Sequence, residues 1–276
     1  MTARDLLRFV PGTPVTEAGC DAHPGVSDKK AAAADVEALV APSRDLQERL
    51  FAEGKHGSSR RVVVVLQGMD TSGKGGASES IGRLVAPAGL RVTSFGKPTE
   101  EERAHDFLWR IERALPAPGG VAVFDRSHYE DVLVVRVHDL VPREEWESRY
   151  DRINAWEAEL AAQGTTFVKV FLHLSFEEQR ERLLARLDDP AKHWKVNPGD
   201  ITERGHWADY RTAYQTVLER CSTDVAPWYV VPADRKWYRD WAVAHLLHET
   251  LSELDPQWPA RPDLDLAGMR DALRED

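Results

Sequence analysis

Residues 61–76 read Arg-Val-Val-Val-Val-Leu-Gln-Gly-Met-Asp-Thr-Ser-Gly-Lys-Gly-Gly. The four consecutive valines predict a short strand that is buried on both faces, as in the parallel sheets of α/β proteins. The pattern Gly68-x-x-x-x-Gly73-Lys74 follows directly, and in this position it is typical of a loop whose backbone N–H groups surround phosphate. A helix over residues 77–85 would direct its positive N-terminal end at the same point. We therefore expect phosphate groups to contact the loop residues Gly68, Met69, Thr71, Ser72, Gly73, Lys74, Gly75 and Gly76.

The loop departs from the usual pattern at one position, and this affects the expected metal site. A phosphate loop normally has Ser or Thr after its lysine, and that hydroxyl binds Mg²⁺, but this chain has Gly75. Asp70 lies inside the loop and offers a carboxylate instead, which Mg²⁺ accepts together with water and phosphate oxygens. Asp125 ends a second apolar run, and parallel strands end at one edge of their sheet. The sequence thus predicts that Asp70 and Asp125 share a divalent cation, Mg²⁺ or Mn²⁺; the alternative for Asp125 is a turn or helix-capping residue.

The residue after the second aspartate is a candidate for binding the transferred phosphoryl group. The planar guanidinium of Arg126 suits phosphate oxygens better than an ammonium group does. The structural alternative is that Arg126 bridges the two aspartates. Ser127, His128 and Asp131 follow, but residues so close on one segment seldom reach the geometry of a hydrolase triad, and the chain has no Gly-x-Ser-x-Gly motif.

A basic segment occurs later in the chain. Residues 180–195 carry five Lys or Arg side chains and one His against three acids. Arg182 and Arg186 are four apart and share a face if this segment is helical, and a proline then ends the helix before Lys192 and Lys195 enter a loop. Because phosphoryl-transfer enzymes close cations over their substrates, we expect these four side chains to bind phosphate from a mobile lid. The alternative is a solvated helix face with a charged loop.

Composition limits the class of protein. The chain has 276 residues, a net charge of −10 and an isoelectric point near 5.5, so binding to nucleic acid or to an anionic membrane would need a local basic patch. The two cysteines, Cys20 and Cys221, lie far apart in sequence and do not form a Cys-x-x-Cys motif. We therefore interpret them as free thiols of a protein in a reducing compartment. The first ten residues contain three charged side chains and resemble no signal peptide, and no run approaches 18 apolar residues. We expect a cytoplasmic protein without nucleic-acid or membrane partners.

Apolar runs alternate with helical patterns along the rest of the chain. Besides the valine run, we predict strands over residues 91–95, 121–124, 167–174 and 228–231. Such alternation predicts an α/β fold with a parallel five-stranded sheet flanked by helices. Three helix starts are indicated by capping boxes, namely Thr99 with Glu102, Ser175 with Glu178, and Asp200 with Glu203.

We divide the chain into an N-terminal arm and helical extension, residues 1–60, and a phosphate-binding domain, residues 61–276, with the lid at about 180–207. In the first part, residues 11–30 are rich in Pro, Gly and small polar residues and predict a surface arm without its own core. Residues 31–52 are helical in pattern with an interruption expected at Pro42. A Gly- and Ser-containing link over residues 53–60 leads into the first strand.

Aromatic residues and histidines offer two further interpretations. Five large side chains fall on one helical face, namely Trp146, Tyr150, Ile153, Trp156 and Leu160. The nine tryptophans could include a base-stacking platform, but most are explained more simply as core residues. His245 and His248 are three apart without an evident third ligand, so we interpret them as core or surface residues rather than as a metal site.

Three motifs, in this order, resemble those of the polyphosphate kinase 2 family. They are Gly68-Met-Asp-Thr-Ser-Gly-Lys-Gly-Gly76, Phe124-Asp-Arg-Ser-His-Tyr-Glu-Asp131 and Lys192-His-Trp-Lys-Val-Asn-Pro-Gly-Asp200, similar to its Walker A, Walker B and lid motifs. The likeness extends over residues 30–255 and becomes thin outside them. The stretch from residue 126 to 138 is most similar to the subgroup that accepts both AMP and ADP.

The resemblance implies a cytoplasmic, homo-oligomeric (dimeric or tetrameric) enzyme with a P-loop kinase fold and a helical lid. It implies transfer of phosphate between inorganic polyphosphate and AMP, ADP or ATP with Mg²⁺. By position, the metal ligands would be Asp70 and Asp125. Lys74 and Arg126 would match the loop lysine and the arginine beside Walker B, and the lid cations would be Arg186, Lys192 and Lys195.

These expectations lead to one mechanism and two alternatives. A terminal phosphate oxygen of AMP or ADP attacks the end phosphorus of polyphosphate directly, and neutralisation of the assembled phosphates is the main task of the site. The first alternative is an ATP-dependent nucleotide or small-molecule kinase. Gly75 and the lid motif favour polyphosphate over ATP as the donor and so argue against this alternative. An inactive anion-binding module would not need both Asp70 and Asp125. For recognition of the base, Thr99 and Asp106 are candidates.

Overall fold

A computed structural model describes residues 1–275 and contains one five-stranded, wholly parallel sheet in the order β2-β3-β1-β4-β5. The strands are β1 (Arg61–Gly68), β2 (Leu90–Ser94), β3 (Val121–Asp125), β4 (Thr165–His173) and β5 (Trp228–Pro232). All five predicted strands are therefore present, and the predicted fold class is confirmed.

Helices cover both faces of the sheet. In chain order they are α1 (Ala3–Leu7), α2 (Lys29–Lys55), α3 (Lys74–Leu84), α4 (Glu100–Arg103), α5 (Trp109–Glu112), α6 (Val134–Val137), α7 (Arg143–Ala162), α8 (Phe176–Asp188), α9 (Gly199–Gly205), α10 (Trp207–Cys221), α11 (Lys236–Leu254) and α12 (Leu266–Glu275). Among residues 1–275, no helix combines the length and the apolar character needed to cross a membrane.

The valine run explains why β1 is central. Side chains alternate between the faces of a strand, so Val62 and Val64 pack into a core with helices α2, α3 and α11, whereas Val63 and Val65 pack into a second core with α7 and α10. Both faces are buried, and β1 has β3 on one side and β4 on the other. The direction of the strand order changes at β1, and ligands bind at such switch points in α/β sheets.

The N-terminal part differs from the prediction in its helix. Helix α2 runs without interruption through Pro42 and extends to Lys55, so the predicted break is wrong and the predicted link is partly helical. Pro42 and Ala38 are both exposed. Proline has no N–H, so the carbonyl of Ala38 loses the hydrogen bond that residue 42 would otherwise donate. This carbonyl lies on the solvent side of the helix, where water can hydrogen-bond to it at little cost.

Residues 1–28 lie across the domain surface and insert a few apolar side chains into it. Ala3, Leu7 and Phe9 are buried. The backbone N–H groups of Ala3 and Arg4 donate to the carboxylate of Glu249 on α11 at 2.8 and 2.9 Å. Residues 3–9, which precede the predicted surface arm of residues 11–30, are thus fixed to the core of the domain.

The predicted helix signals have different outcomes. The capping box of Thr99 with Glu102 is present at α4, and Ser175 accepts from the N–H of Glu178 at the start of α8. The predicted capping box at Asp200 is wrong, because α9 begins at Gly199 and the Asp200 carboxylate instead accepts from Arg186 at 3.1 Å. The five-residue aromatic and aliphatic face of α7 is buried as predicted.

Candidate active site

The glycine loop closes between the end of β1 and the start of α3. Gly73 has φ +98°, a left-handed conformation that glycine adopts without cost, and it is the residue before α3. Thr71 also has a positive φ, +60°. The hydroxyls of Thr71 and Ser72 are buried and make no hydrogen bond with any residue in the range 1–275. The loop thus presents unpaired hydroxyls as well as backbone at the N-terminus of a helix.

Lys74 lies at the centre of this loop. It is 8% exposed, and its ammonium donates to the carbonyl oxygens of Gly68 at 2.9 Å and Met69 at 3.2 Å. Burial lowers the pKa of Lys74, and the nearby charge of Arg126 acts in the same direction. A buried ammonium that is satisfied only by carbonyls is placed to exchange them for phosphate oxygens.

Strand β3 brings Asp125 and Arg126 beside the loop. Asp125 is the register partner of Leu66 on β1, and the N–H of Arg126 donates to the carbonyl of Leu66 at 3.0 Å. Arg126 has φ +66°, which is costly for a residue with a side chain. Its guanidinium lies 3.9 Å from the Glu130 carboxylate and is 44% exposed, so it faces the cleft and is paired with Glu130 rather than bridging the two aspartates.

Two arginines of α8, Arg182 and Arg186, contact the glycine loop. The Arg186 guanidinium lies 3.6 Å from the Asp70 carboxylate and 3.1 Å from that of Asp200. Arg182 donates to the carbonyls of Thr71 and Ala233 at 2.9 and 2.6 Å. In this structure Arg182 therefore holds the loop backbone, while Arg186 connects the loop to the segment that follows α8.

Lys192 and Lys195 follow on a single 3₁₀ helix, Pro190–Lys195, where a loop was predicted. Lys192 is paired with Asp189 at 2.7 Å. In the described part of the chain, the ammonium of Lys195 makes no ion pair; it lies 4.8 Å from the centre of the Trp194 ring.

These elements surround one cleft of about 620 Å³ at the carboxyl ends of the strands. Its lining includes all five predicted catalytic residues, namely Asp70, Lys74, Asp125, Arg126 and Arg186, together with Thr71, Gly73, Gly75, Gly76, Arg182, Lys192 and Lys195. The roles assigned to these residues remain predictions. Three of the predicted loop contacts, Gly68, Met69 and Ser72, are buried and do not line the cleft. Thr99 lines a separate cavity beside β2.

Five residues of the cleft lining were not predicted from the sequence, namely Glu178, Glu181, Ala185, Lys236 and Arg239. Lys236 and Arg239 come shortly after the end of β5, as Arg126 comes directly after β3. Because parallel strands end at one edge, their position after an apolar run was the available signal.

The two aspartates fit a divalent cation. Asp70 and Asp125 line the same cleft, and one buried carboxylate oxygen of Asp70 has no hydrogen-bond donor among residues 1–275. No cluster of three or more His, Cys, Asp or Glu ligands exists in that range. Mg²⁺ needs no such cluster, because it binds through one or two carboxylates and takes its other ligands from water and phosphate.

A hydrolase triad is absent at Ser127. The Ser127 hydroxyl accepts from the amide of Gln67 at 3.0 Å, whereas His128 contacts Glu157 at 3.1 Å and Asp131 is paired with Arg149 at 3.2 Å. Likewise His248 bonds to Ser43 and His245 packs on Trp241. Ser127, His128 and Asp131 each contact a different partner, which agrees with the sequence-based rejection of a hydrolase triad.

Comparison with known proteins adds the family. Residues 26–259 match the sequence profile described as Polyphosphate kinase 2. The chain belongs to the polyphosphate kinase 2 family. It is 50% identical over 229 residues to the AMP/ADP-polyphosphate phosphotransferase of Meiothermus ruber, covering 82% of this chain and 84% of the relative. It is 42% identical over 227 residues to the ADP-polyphosphate phosphotransferase of Rhodopseudomonas palustris, covering 78% and 77%.

Solved structures of the polyphosphate kinase 2 family have the same architecture. The polyphosphate kinase 2 of Arthrobacter aurescens superposes with a TM-score of 0.96 at 46% identity and covers 100% of this chain and 98% of its own. A putative polyphosphate kinase 2 of Pseudomonas aeruginosa gives 0.76 at 30% identity, covering 88% and 51%. The resemblance inferred from three motifs is confirmed.

The two glycines after Lys74 are expected to respond oppositely to alanine in this polyphosphate kinase 2 family member. A Cβ at Gly75 would meet nothing within 4 Å, whereas a Cβ at Gly76 would overlap the guanidinium of Arg239. We expect Gly75→Ala to stabilise the fold by up to about 1 kcal/mol through helix propensity. We expect Gly76→Ala to destabilise it by about 1–3 kcal/mol through overpacking.

Urea unfolding of the two alanine variants, compared with the wild type, measures the free energies. Coincident unfolding curves for the Gly75 and Gly76 variants would contradict this packing argument.

Acid is expected to weaken the fold partly through His173, at the end of β4. Its ring contacts the Cys20 thiol at 3.3 Å, and burial lowers the pKa of His173 to about 4 from 6.5. The folded protein therefore resists protonation of this ring. Its contribution to stability is complete above pH 6.5 and is lost as the pH falls towards 4, amounting to at most about 3 kcal/mol.

The measurement is the free energy of unfolding between pH 4 and pH 7 for the wild type and for His173→Gln. The variant is expected to show a shallower decline, because it has no ring to protonate. Other buried histidines, such as His128, also have lowered pKa values, so some decline remains. Equal slopes in both proteins would remove His173 from this role.

Proposed function

We propose that this protein transfers the terminal phosphate of inorganic polyphosphate to AMP or ADP, reversibly and with Mg²⁺. The observation that carries the proposal is the charge of the cleft, which is lined by eight Lys or Arg residues and four Asp or Glu residues around the glycine loop. The chain as a whole has a net charge of −10, so positive charge is concentrated where a polyanion would bind. The names of the Meiothermus and Rhodopseudomonas relatives support this substrate class.

The proposed chemistry is a direct in-line displacement. A terminal phosphate oxygen of the nucleotide forms a bond to the end phosphorus of polyphosphate, and the bridging P–O bond breaks, so that the shortened polyphosphate leaves with the electron pair. The attacking oxygen is already anionic, so the residues need not remove a proton. Their task is to hold two anions together and to stabilise the charge of the transition state.

Each assigned side chain has one part in this step. Lys74 would exchange its loop carbonyls for oxygens of the transferred phosphoryl group. Arg126 would bind the equatorial oxygens from the side of β3, and Arg186 would approach from α8 when the lid closes. Asp70 and Asp125 would hold the divalent cation, which supplies neutralisation of phosphate charge when it is bound.

One experiment separates this proposal from the runner-up, an ATP-dependent nucleotide or small-molecule kinase. Purified protein is given Mg²⁺, polyphosphate and AMP or ADP without ATP, and the nucleotide products are separated by ion-exchange chromatography. Formation of ADP from AMP, or of ATP from ADP, is expected. If phosphate is transferred only when ATP is the donor, the runner-up replaces the proposal.

The aspartates are expected to set the requirement for metal. Replacing Asp70 or Asp125 with asparagine removes one anionic ligand, so the Mg²⁺ concentration for half-maximal rate should rise about tenfold or more. Glu181→Gln is the matched control, because this carboxylate lines the same cleft but is 55% exposed. An unchanged requirement in both aspartate variants, or an equal rise in the control, would refute the assigned ligands.

We also propose that the protein acts in the cytoplasm as a dimer or tetramer. Cys20 and Cys221 are free and buried, which suits a reducing compartment.

The transfer assay also measures the preference between AMP and ADP as acceptors. Sedimentation velocity measures the subunit number, and a monomer at assay concentration would overturn the proposed assembly.

A further inference from the structure

The end of the cleft next to α11 is cationic, and the sequence motifs do not account for it. Lys236 is the first residue of α11, and Arg239 lies one turn later; both line the cleft. The first turn of α11 contains no acidic residue, and Arg235 precedes it. Cations at a helix N-terminus are unfavourable because they face the positive end of the helix dipole. The chain therefore places positive charge where its own fold does not favour it.

Arg239 is held rigidly beneath the glycine loop. It is 5% exposed, and two of its nitrogens donate to the Asp240 carboxylate at 2.9 and 2.6 Å. Its guanidinium occupies the space that side chains at Gly73 and Gly76 would take. The remaining nitrogen, Nη1, makes no hydrogen bond to any residue between 1 and 275, so it is available to an anion on the loop.

Lys236 is surrounded mainly by like charges. Within the described residues its ammonium has neither an ion pair nor a hydrogen bond. Partial burial lowers the pKa of Lys236, and the charges of Arg182, Arg239 and Lys192 act in the same direction, whereas the nearby Glu178 carboxylate opposes them. A group of cations that repel one another without a ligand gains most from binding a polyanion.

The position of this group in the sheet indicates which anion. Arg126 directly follows β3 and Lys236 begins the helix after β5. In the strand order β3-β1-β4-β5, these two strands are three strand spacings apart, about 14 Å. A chain of several phosphate units spans that distance with negative charge throughout. A nucleoside triphosphate lying across the same cleft would place its ribose and base at the end next to α11. Neither group is negatively charged, so neither would pair with Lys236 or Arg239.

We propose that Lys236 and Arg239 form a subsite for the polyphosphate units remote from the transferred phosphate, and that this subsite favours long polyphosphate over short polyphosphate as the donor. This inference rests on the proposed function. The end phosphorus lies at Lys74 and Arg126, and the rest of the chain extends across the loop towards α11. Short donors such as tripolyphosphate reach the loop but gain less from Lys236.

The test is the ratio of kcat/KM for long-chain polyphosphate to kcat/KM for tripolyphosphate. We expect Lys236→Gln to lower this ratio about fivefold, which corresponds to about 1 kcal/mol, and Lys236→Glu to lower it further. Arg235→Gln is the matched control, because it removes one positive charge at the same end of α11 from a side chain that does not line the cleft. Its ratio is expected to equal that of the wild type.

The outcomes distinguish this inference from the proposed function. If the wild type uses polyphosphate and the ratio is the same in both Lys236 variants, or falls equally in Arg235→Gln, the subsite is refuted alone. If Lys236→Gln raises the KM of the nucleotide and leaves the ratio unchanged, the residue belongs to the nucleotide site and the inference is wrong. If the wild type uses neither polyphosphate, the proposed function fails first. Arg239→Gln, checked for folding by circular dichroism, is expected to lower the ratio in the same direction.

Discussion

Lys74→Met is expected to lower the rate of phosphoryl transfer by about 10³ or more while leaving the protein folded. The side chain keeps its volume but loses the only ammonium inside the glycine loop, and removal of one preorganised donor already costs about 10²–10³ in other enzymes. Stability should change by less than about 1 kcal/mol. The desolvated ammonium and its two carbonyl hydrogen bonds are lost together, and these effects oppose each other.

Lys169 offers a matched control for this substitution. It is also a fully buried lysine, but it lies on β4 away from the cleft and is paired with Glu157 at 2.6 Å. Lys169→Met leaves a buried carboxylate without its partner, which costs about 3–5 kcal/mol, and is expected to keep the rate per folded molecule. Steady-state rates and urea unfolding of both variants test the contrast. A Lys74→Met enzyme with more than a tenth of the wild-type rate would contradict the assigned role.

Arg126 is expected to give the other large effect, with an additional signature in stability. Removing a transition-state arginine costs about 10³–10⁵ in rate in other phosphoryl-transfer enzymes, so Arg126→Ala and Arg126→Gly should both be nearly inactive. The backbone at this position has φ +66°, which strains alanine but not glycine. We therefore expect Arg126→Gly to be more stable than Arg126→Ala by about 1 kcal/mol.

Thermal or urea unfolding compares the two variants, and the transfer assay compares their rates. Arg126→Lys keeps the positive charge but lacks the planar guanidinium that can bind two phosphate oxygens at once. Its rate is therefore expected to lie between those of the wild type and the alanine variant. If glycine and alanine give equal stability, the left-handed conformation is not maintained in solution. If the alanine variant keeps most of its rate, Arg126 does not bind the transferred group.

The parts of the site that the sequence predicted depend on short-range geometry. Gly68, Gly73 and Lys74 belong to one continuous segment, so their spacing along the chain determines their spacing in the loop. Asp125 is distant in sequence, but its position follows from one rule, that neighbouring parallel strands end at the same edge. The alternating burial of the valines in β1 is equally local, because it depends only on the two-residue repeat of a strand.

The parts that were missed depend on how helices pack. Arg239 meets Gly76 only because α11 lies against α3, and no pattern in either segment specifies that contact. Asp200 matched a helix cap by spacing, but the arginine at position 186 provides a stronger, charged donor. Pro42 was read as a helix break because the sequence does not show which side of the helix faces solvent.

The docking of the N-terminal segment has a consequence for biosynthesis. Ala3 and Arg4 bind Glu249, and the N–H of Phe9 donates to the carbonyl of Trp228 at 2.8 Å. Both partners are translated more than two hundred residues later. While the chain is on the ribosome, residues 1–9 therefore lack these partners until β5 and α11 emerge, and their apolar side chains stay accessible to chaperones and proteases. We infer that this segment joins the folded protein only after β5 and α11 have been synthesised.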